Sequence, residues 1–405
     1  MAFEKDVRAR GIGGSEEGPI GQTSIGQSSI RLAILGPAPP DRGGIAHETA
    51  RVAAELSRLT SVRYFTFSRA YPRWLDPRRF SRDPRLAPAP AVPVLDYLSP
   101  RTWTSTAVKI AQVRAGSLIV PWWTSFWALP VRTIFRSLER SSPGTRRVLL
   151  CHNLADHERG AFRRFLTVGA FSAADAFLVH AEENRRELAK RFPRRTVACL
   201  PLPAPDAVAD REAARKRLGV DGPLALFLGL VRRYKGVETL LAAAPRIVRE
   251  SGARIAVVGE VFPDASFLTR LHRASPMADR ILWKDQYVSE EEMGMWLAAS
   301  DVVVLPYREV SGSAIAARAI GARRPMAASA VGGLKDIVVP GVTGELFPAG
   351  DAGGLADAVS RVLTRGPGAY APGLERAARE NSWPRYAERI LDFILSLSPG
   401  IVANG

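Results

Sequence analysis

Short apolar runs, each followed by a stretch of residues at helical spacing, recur along this chain in two series. The first series is Arg31–Leu35, Val62–Ser68, Ser117–Pro121, Val148–His152 and Ala176–His180. The second is Leu224–Leu228, Arg254–Val258, Ile281–Lys284, Val302–Pro306 and Pro325–Ser329. A run that is apolar at successive positions suits a strand covered on both faces, and strand–helix alternation pairs such strands in parallel with helices above and below. The predicted fold is therefore α/β: two Rossmann-like, doubly wound parallel-sheet domains facing a cleft. A chain of 405 residues also exceeds what one hydrophobic core supports.

The segmentation follows the punctuation. Residues 1–28 are rich in Gly, Ser, Gln and Glu without periodicity and read as a disordered tail. Inside it, Gly11-Ile-Gly13-Gly14 is no phosphate loop, because no strand precedes it and no helix follows. A first domain is expected over 29–205 and a second over 206–380, with a helix over 381–398. That last helix carries Tyr386, Ile390, Leu391, Ile394 and Leu395 at helical spacing. In the second domain Ser289 and Glu292 form a capping box.

Two cysteines cannot make a disulfide framework, and the opening residues, with their acids, make no signal peptide. The longest apolar stretch, Leu118–Val131, is broken by Pro121 and Pro130. A cytoplasmic protein is expected. Residues 1–205 hold 31 Lys and Arg against 17 Asp and Glu, whereas the rest holds 25 against 23, so the first half carries nearly all of the net +16. No zinc spacing or basic recognition helix accompanies that charge, so nucleic acid is not an expected partner. Another anionic partner is.

Phe227-Leu-Gly-Leu-Val-Arg-Arg-Tyr-Lys-Gly236 joins an apolar strand, a glycine, three cations and a helix start. Strand end, glycine, helix amino terminus and converging Arg and Lys are the parts that hold a diphosphate. Arg232 and Lys235 are the leading candidates. No Asp-x-Asp or carboxylate cluster accompanies them, so neither a metal nor another cofactor is expected.

Four elements in order carry a family resemblance: Gly36 with Gly43-Gly44-Ile-Ala-His47; Leu149-Leu-Cys-His152-Asn153; the Arg232/Lys235 stretch; and Ser300-Asp-Val-Val-Val-Leu-Pro306 followed by Pro325, Gly332-Gly333 and Gly341-Val-Thr-Gly344. Together they resemble the retaining nucleotide-sugar glycosyltransferases of the GT-B fold, family 4 in particular. The resemblance implies that Gly43 and Gly44 approach the donor phosphate and that His152 contacts the donor sugar. It places Arg232 and Lys235 on the diphosphate of a nucleoside-diphosphate sugar. It also implies a last helix crossing back to the first domain, an acceptor on the first domain, and a leaving phosphate that takes the acceptor's proton.

The chain departs from the family pattern at the paired glutamates that follow the Val-Val-Leu-Pro strand. The second position, which holds the ribose in the family, falls on Arg318, and the first on Val310 beside Glu309. The turn Glu309-Val-Ser311-Gly312-Ser313-Ala314-Ile315 instead resembles a branch in which helix amides reach the diphosphate. A scaffold without catalysis and a nucleotide-sugar epimerase are the alternative functions. His47 is a second-ranked base, and His157, His180 and His272 read as structural or surface residues. Trp122 and Trp123, in the run Pro121–Trp127, either fill the core or line the acceptor site. The acceptor is expected to be a glycan or lipid-linked. Arg69–Arg82, with Arg73, Arg78, Arg79 and Arg82 among aromatics, suits the anionic inner face of the plasma membrane as a peripheral partner.

Overall fold

The computed structural model describes residues 31–41, 43–71, 86–154, 161–205 and 209–397. The tail over 1–28, His157, Arg73, Arg78, Arg79 and Arg82 lie outside these residues, and so does the structural side of the expectations placed on them.

Seven strands make the first sheet: β1 (Arg31–Leu35), β2 (Ser61–Arg69), β3 (Val92–Asp96), β4 (Ser117–Trp122), β5 (Arg146–Cys151), β6 (Ala176–Val179) and β7 (Thr196–Cys199). Their spatial order is β3-β2-β1-β4-β5-β6-β7. Six more make the second: β8 (Leu224–Leu228), β9 (Arg254–Val258), β10 (Ile281–Lys284), β11 (Val302–Leu305), β12 (Met326–Ser329) and β13 (Gly344–Phe347). Here the order is β10-β9-β8-β11-β12-β13. Every named strand pair is parallel.

The central strands are buried along their whole length; all five residues of β8 and all four of β11 are shielded. Strands covered on both faces have no need of polar alternation, and this is why the sequence shows continuous apolar runs. In each sheet the strand order reverses beside the first strand, between β1 and β4 and again between β8 and β11. At such a switch point the loops leave in opposite directions and open a crevice at the carboxyl ends of the strands.

Two hydrogen bonds and one helix are among the ties between the domains. Asp336 Oδ2 accepts the amide of Glu182, the first residue of the helix Glu182–Arg191, at 2.9 Å. A carboxylate there satisfies an otherwise unpaired helix amide and meets the positive end of the helix dipole. The Ala204 amide donates to the Asn381 carbonyl at 2.7 Å, tying the linker to the start of the last helix. That helix, Trp383–Ser396, lays Tyr386, Ile390, Phe393 and Ile394 into a core shared with Leu32, Ile34, Val52 and Leu56 of the first domain. Leu391 packs at the edge of this core. The last helix is thus a piece of the first domain's packing.

Candidate functional site

Four of the candidate segments start at the ends of the switch-point strands. β1 runs into Gly36 and the loop to Gly43, and β4 ends at Trp122. β8 ends at Gly229, before Arg232 and Lys235, and β11 runs into the turn of Glu309–Ser313.

In the second domain, Arg233–Lys235 form a single tight turn capped by Gly236 at φ 62°, and Gly236 in turn opens the helix Val237–Ser251. A Cβ on Gly236 would lie 2.0 Å from the Pro306 carbonyl oxygen, so the turn sits directly against the end of β11. Lys235 is buried, with Nζ 5.3 Å from the Tyr307 ring centre and 6.0 Å from that of Phe227. Burial, and secondarily the neighbouring Arg232, brings its ammonium down to about 8. Arg232 is steadied by Asp264 at 3.0 Å and by the Phe262 ring at 4.6 Å.

The helix Ala314–Gly321 begins beside this cation. Ser313 is its cap, accepting the Ala316 amide at 3.2 Å. A Cβ placed on Gly229 would lie 3.4 Å from both Lys235 Nζ and Ile315 Cδ1, so strand end, ammonium and helix start converge within contact distance. Glu309 and Ala314 are exposed, whereas Ser311 and Gly312 are half-buried. Arg318 forms a forked ion pair with Glu290, at 2.7 and 3.0 Å. Its charge is met by this acid of the helix Glu290–Ala299, whose cap is Ser289, accepting the Glu292 amide.

In the first domain, the helix Gly44–Leu59 starts at the loop, with Gly43 and Gly44 exposed and nothing within 4 Å of a Cβ on either. Its first turn carries His47, half-buried, and Glu48. Glu48 reaches across to His152, with Oε1 to Nδ1 at 3.7 Å, and the His152 and His180 rings lie 5.0 Å apart. His152 directly follows β5 and His180 directly follows β6, strands paired in register at Cys151 and Val179. Two residues so placed are separated by one strand spacing, about 4.8 Å. Burial pushes the Glu48 carboxyl up to about 6, offset by His180 and Arg318. It brings both imidazoles down to about 4; for His180, neighbouring His152 adds to the effect and Glu48 and the Leu200 carbonyl oppose it.

The two domains meet here. A Cβ on Gly312 would lie 3.1 Å from His180 Cβ, and one on Gly333 would lie 3.2 Å from Ala181 Cβ. Small residues at these positions let the second-domain turns close over the first-domain strand ends.

The aromatic run divides. Trp122 is a core residue, edge-on to Phe171, which corrects the expectation that it faces an acceptor. Packing wins because β4 is shielded at every position. Trp127 is buried too, stacked on Phe67 at 4.3 Å. Trp123 is half-buried and donates its indole N–H to the Tyr71 hydroxyl at 3.2 Å. Sequence reasoning set His180 aside as structural and did not raise Glu48; the structure groups both with His152. His272 stacks on Trp283 at 5.0 Å, remote from this group in the fold.

Residues 222–365 match the family model described as glycosyl transferases group 1. A D-inositol 3-phosphate glycosyltransferase of Xylanimonas cellulosilytica is 28% identical over 239 residues, 55% of this chain and 57% of that protein. An alpha-D-kanosaminyltransferase of Streptomyces kanamyceticus is 29% identical over 180 residues, 44% of this chain and 45% of that protein. The chain thus spans about half the length of the curated relatives it matches. Among solved structures, sucrose-phosphate synthase of Thermosynechococcus elongatus aligns with TM-score 0.69 and 21% identity over 91% of this chain and 99% of its own. Anabaena HepE in complex with UDP aligns with TM-score 0.69 and 13% identity over 91% and 100%. The fold is GT-B, and the resemblance read from the four sequence elements holds over the second domain in sequence and over nearly the whole chain in architecture.

Proposed function

We propose that this GT-B chain is a glycosyltransferase that moves a sugar from a nucleoside-diphosphate donor to a glycan or lipid-linked acceptor, with retention at the anomeric carbon. The observation that carries the reading is the convergence of Lys235, Gly229 and the start of the helix Ala314–Gly321 at one switch point. A buried ammonium, a nearby guanidinium and helix amides are fixed charges aimed where a diphosphate leaves. Solved relatives of the same fold hold UDP and UDP-glucose, which supports a nucleotide-sugar donor.

In the reaction, the bond between the anomeric carbon and the diphosphate oxygen breaks with its electron pair moving to that oxygen. The acceptor hydroxyl bonds to the same carbon from the same face, and its proton passes to the departing phosphate. Arg232 and Lys235 hold the charge that develops, so the step needs no metal at the diphosphate. The amides at Ser313–Ile315, flanked by Ser311 and Gly312, and those of Gly43 and Gly44 supply further donors, with His152 facing the sugar. His47 and Trp123 border the acceptor side. The basic first domain suits an acceptor presented at an anionic membrane surface; among the described residues no helix is long and apolar enough to cross one.

Replacing Lys235→Ala or Arg232→Ala is expected to raise the barrier by about 2–4 kcal/mol each while leaving the fold intact. A thermal-shift screen against UDP, GDP, ADP and TDP sugars finds the donor, and initial rates of both variants then test the assignment. Near-wild-type kinetics would remove the diphosphate site. Adding Mg²⁺ to chelator-treated enzyme is expected to leave turnover unchanged, and stimulation would overturn the metal-free step. The pairing of Arg318 with Glu290, where the family holds ribose, favours one second reading, a scaffold that binds without turnover. Interconversion of free sugar nucleotides would instead mark an epimerase.

A further inference from the structure

Glu48, His152 and His180 form a cluster that donor chemistry does not require in full. A carboxylate oxygen and two imidazole nitrogens, one from each residue, lie within 4.8 Å of one another. Glu48 Oε1, His152 Nε2 and His180 Nε2 are all buried, and none has a hydrogen-bond partner among the described residues. Polar atoms in such a position cost stability unless something satisfies them. The His152 side chain is 8% exposed and His180 2%, so both rings are shielded from solvent.

The orientation of His180 is fixed from behind. Its Nδ1 lies 2.9 Å from the Leu200 carbonyl oxygen, which can only accept, so Nδ1 carries the proton and Nε2 presents a lone pair. An imidazole tethered through one nitrogen to a backbone carbonyl, with the other nitrogen bare, is the usual preparation of a histidine for a metal ion. Two imidazoles and one carboxylate form a donor set suited to a borderline divalent cation such as Zn²⁺, with a fourth position left for water or substrate. Hard Mg²⁺ prefers oxygen ligands and an octahedral shell, and this set does not provide them.

We propose that Glu48, His152 and His180 bind one divalent transition-metal ion, Zn²⁺ or a close analogue, on the first-domain wall of the cleft. Ligand atoms around one tetrahedral zinc are about 3.3 Å apart, so binding draws the three side chains inward by small rotations. The second domain roofs the site through Gly312, which abuts His180. The site uses neither Arg232 nor Lys235. It shares His152 with the sugar contact proposed above, and its test measures bound metal and not turnover, so the two readings fail separately.

The test uses the full chain carrying no polyhistidine tag, stripped with chelator, loaded with excess Zn²⁺ and desalted, with metal measured by mass spectrometry. Wild type is expected to keep about one zinc per chain, and Glu48→Gln and His180→Asn to weaken binding at least about tenfold. Sub-stoichiometric zinc in wild type, or equal retention by the variants, would overturn the site. Far-UV circular dichroism establishes that the variants are folded. Should either variant misfold, Co²⁺ substitution of wild type decides alone. Visible ligand-field absorption without a thiolate charge-transfer band supports the Glu-His-His set. No visible band, or a charge-transfer band from Cys151 or Cys199, would refute it.

Discussion

Lys235 lies at a depressed value for a physical reason that also makes it responsive. With the ammonium brought down to about 8 by burial, it is charged at neutrality and loses its proton about two pH units earlier than an exposed lysine does. A bound diphosphate favours the charged form, so its affinity is expected to fall as pH rises through about 8, and binding above that pH takes up a proton. Isothermal titration in buffers of differing ionisation enthalpy at neutral and alkaline pH measures this directly. Proton uptake that is absent at alkaline pH would mean that Lys235 does not face the nucleotide. The same linkage runs through stability: without ligand, the charged form is the one penalised in the fold, so this residue's contribution grows more favourable as pH rises above about 8 toward the ordinary lysine value. Arg232 and Lys235 were legible in the sequence because strand, glycine, cations and helix lie within ten consecutive residues. The histidine pair was legible in principle, since both Val148–His152 and Ala176–His180 are apolar runs ending in His. What the sequence withheld was that β5 and β6 are neighbours in register, which turns two strand ends into one pair. Glu48 was harder to find, because it lies in the first turn of the helix Gly44–Leu59, about a hundred residues from His152, and nothing local in the sequence pairs the two.

Elements differ in how strongly their own residues announce them. The second-series strands at Leu224–Leu228, Arg254–Val258 and Ile281–Lys284 were predicted with the observed bounds. Three strands were not predicted, β3, β7 and β13, and all three are sheet edges. The signal depends on the residues of each edge: four of the five residues of β3 are a proline, an aspartate or valines of mixed exposure, β7 has no fully buried residue and β13 opens on Gly344 and Glu345, whereas β10, also an edge, carries Ile281, Leu282 and Trp283 and is legible. The turn at Gly236 offers a test at this scale. Gly219 and Gly236 have nearly the same backbone, φ 61° and 62°, but only Gly236 has a carbonyl, that of Pro306, where a Cβ would go. Gly219→Ala is expected to cost about 1–2 kcal/mol for the left-handed conformation alone. Gly236→Ala adds a clash between β8 and β11 loops and should cost clearly more, with loss of donor binding. Denaturant unfolding of the two variants makes the comparison, and equal losses would mean that the turn is not pressed against β11.

At the scale of the whole molecule, the chain passes from the first domain to the second near residue 205 and returns near residue 381. Ile390 is fully buried in the returning helix, within the core that contains Leu32, Ile34 and Leu56. Ile390→Ala is expected to cost about 2–5 kcal/mol. Hydrogen exchange should show the loss in β1 and the helix Gly44–Leu59 while β8 and β11 keep their protection; loss spread evenly over both sheets would contradict the assignment of this helix to the first domain. The arrangement also bears on how the protein is made. A ribosome delivers the first sheet by Cys199, but the helix that closes one side of its core, Trp383–Ser396, emerges only after the whole second domain. At roughly 5–20 residues per second, the nascent first domain waits for on the order of 10–40 s with an apolar face uncovered. Every element of the second domain, from β8 to the helix Ala371–Glu380, precedes the closing helix in the chain, so the second domain is expected to be able to fold before the first is closed.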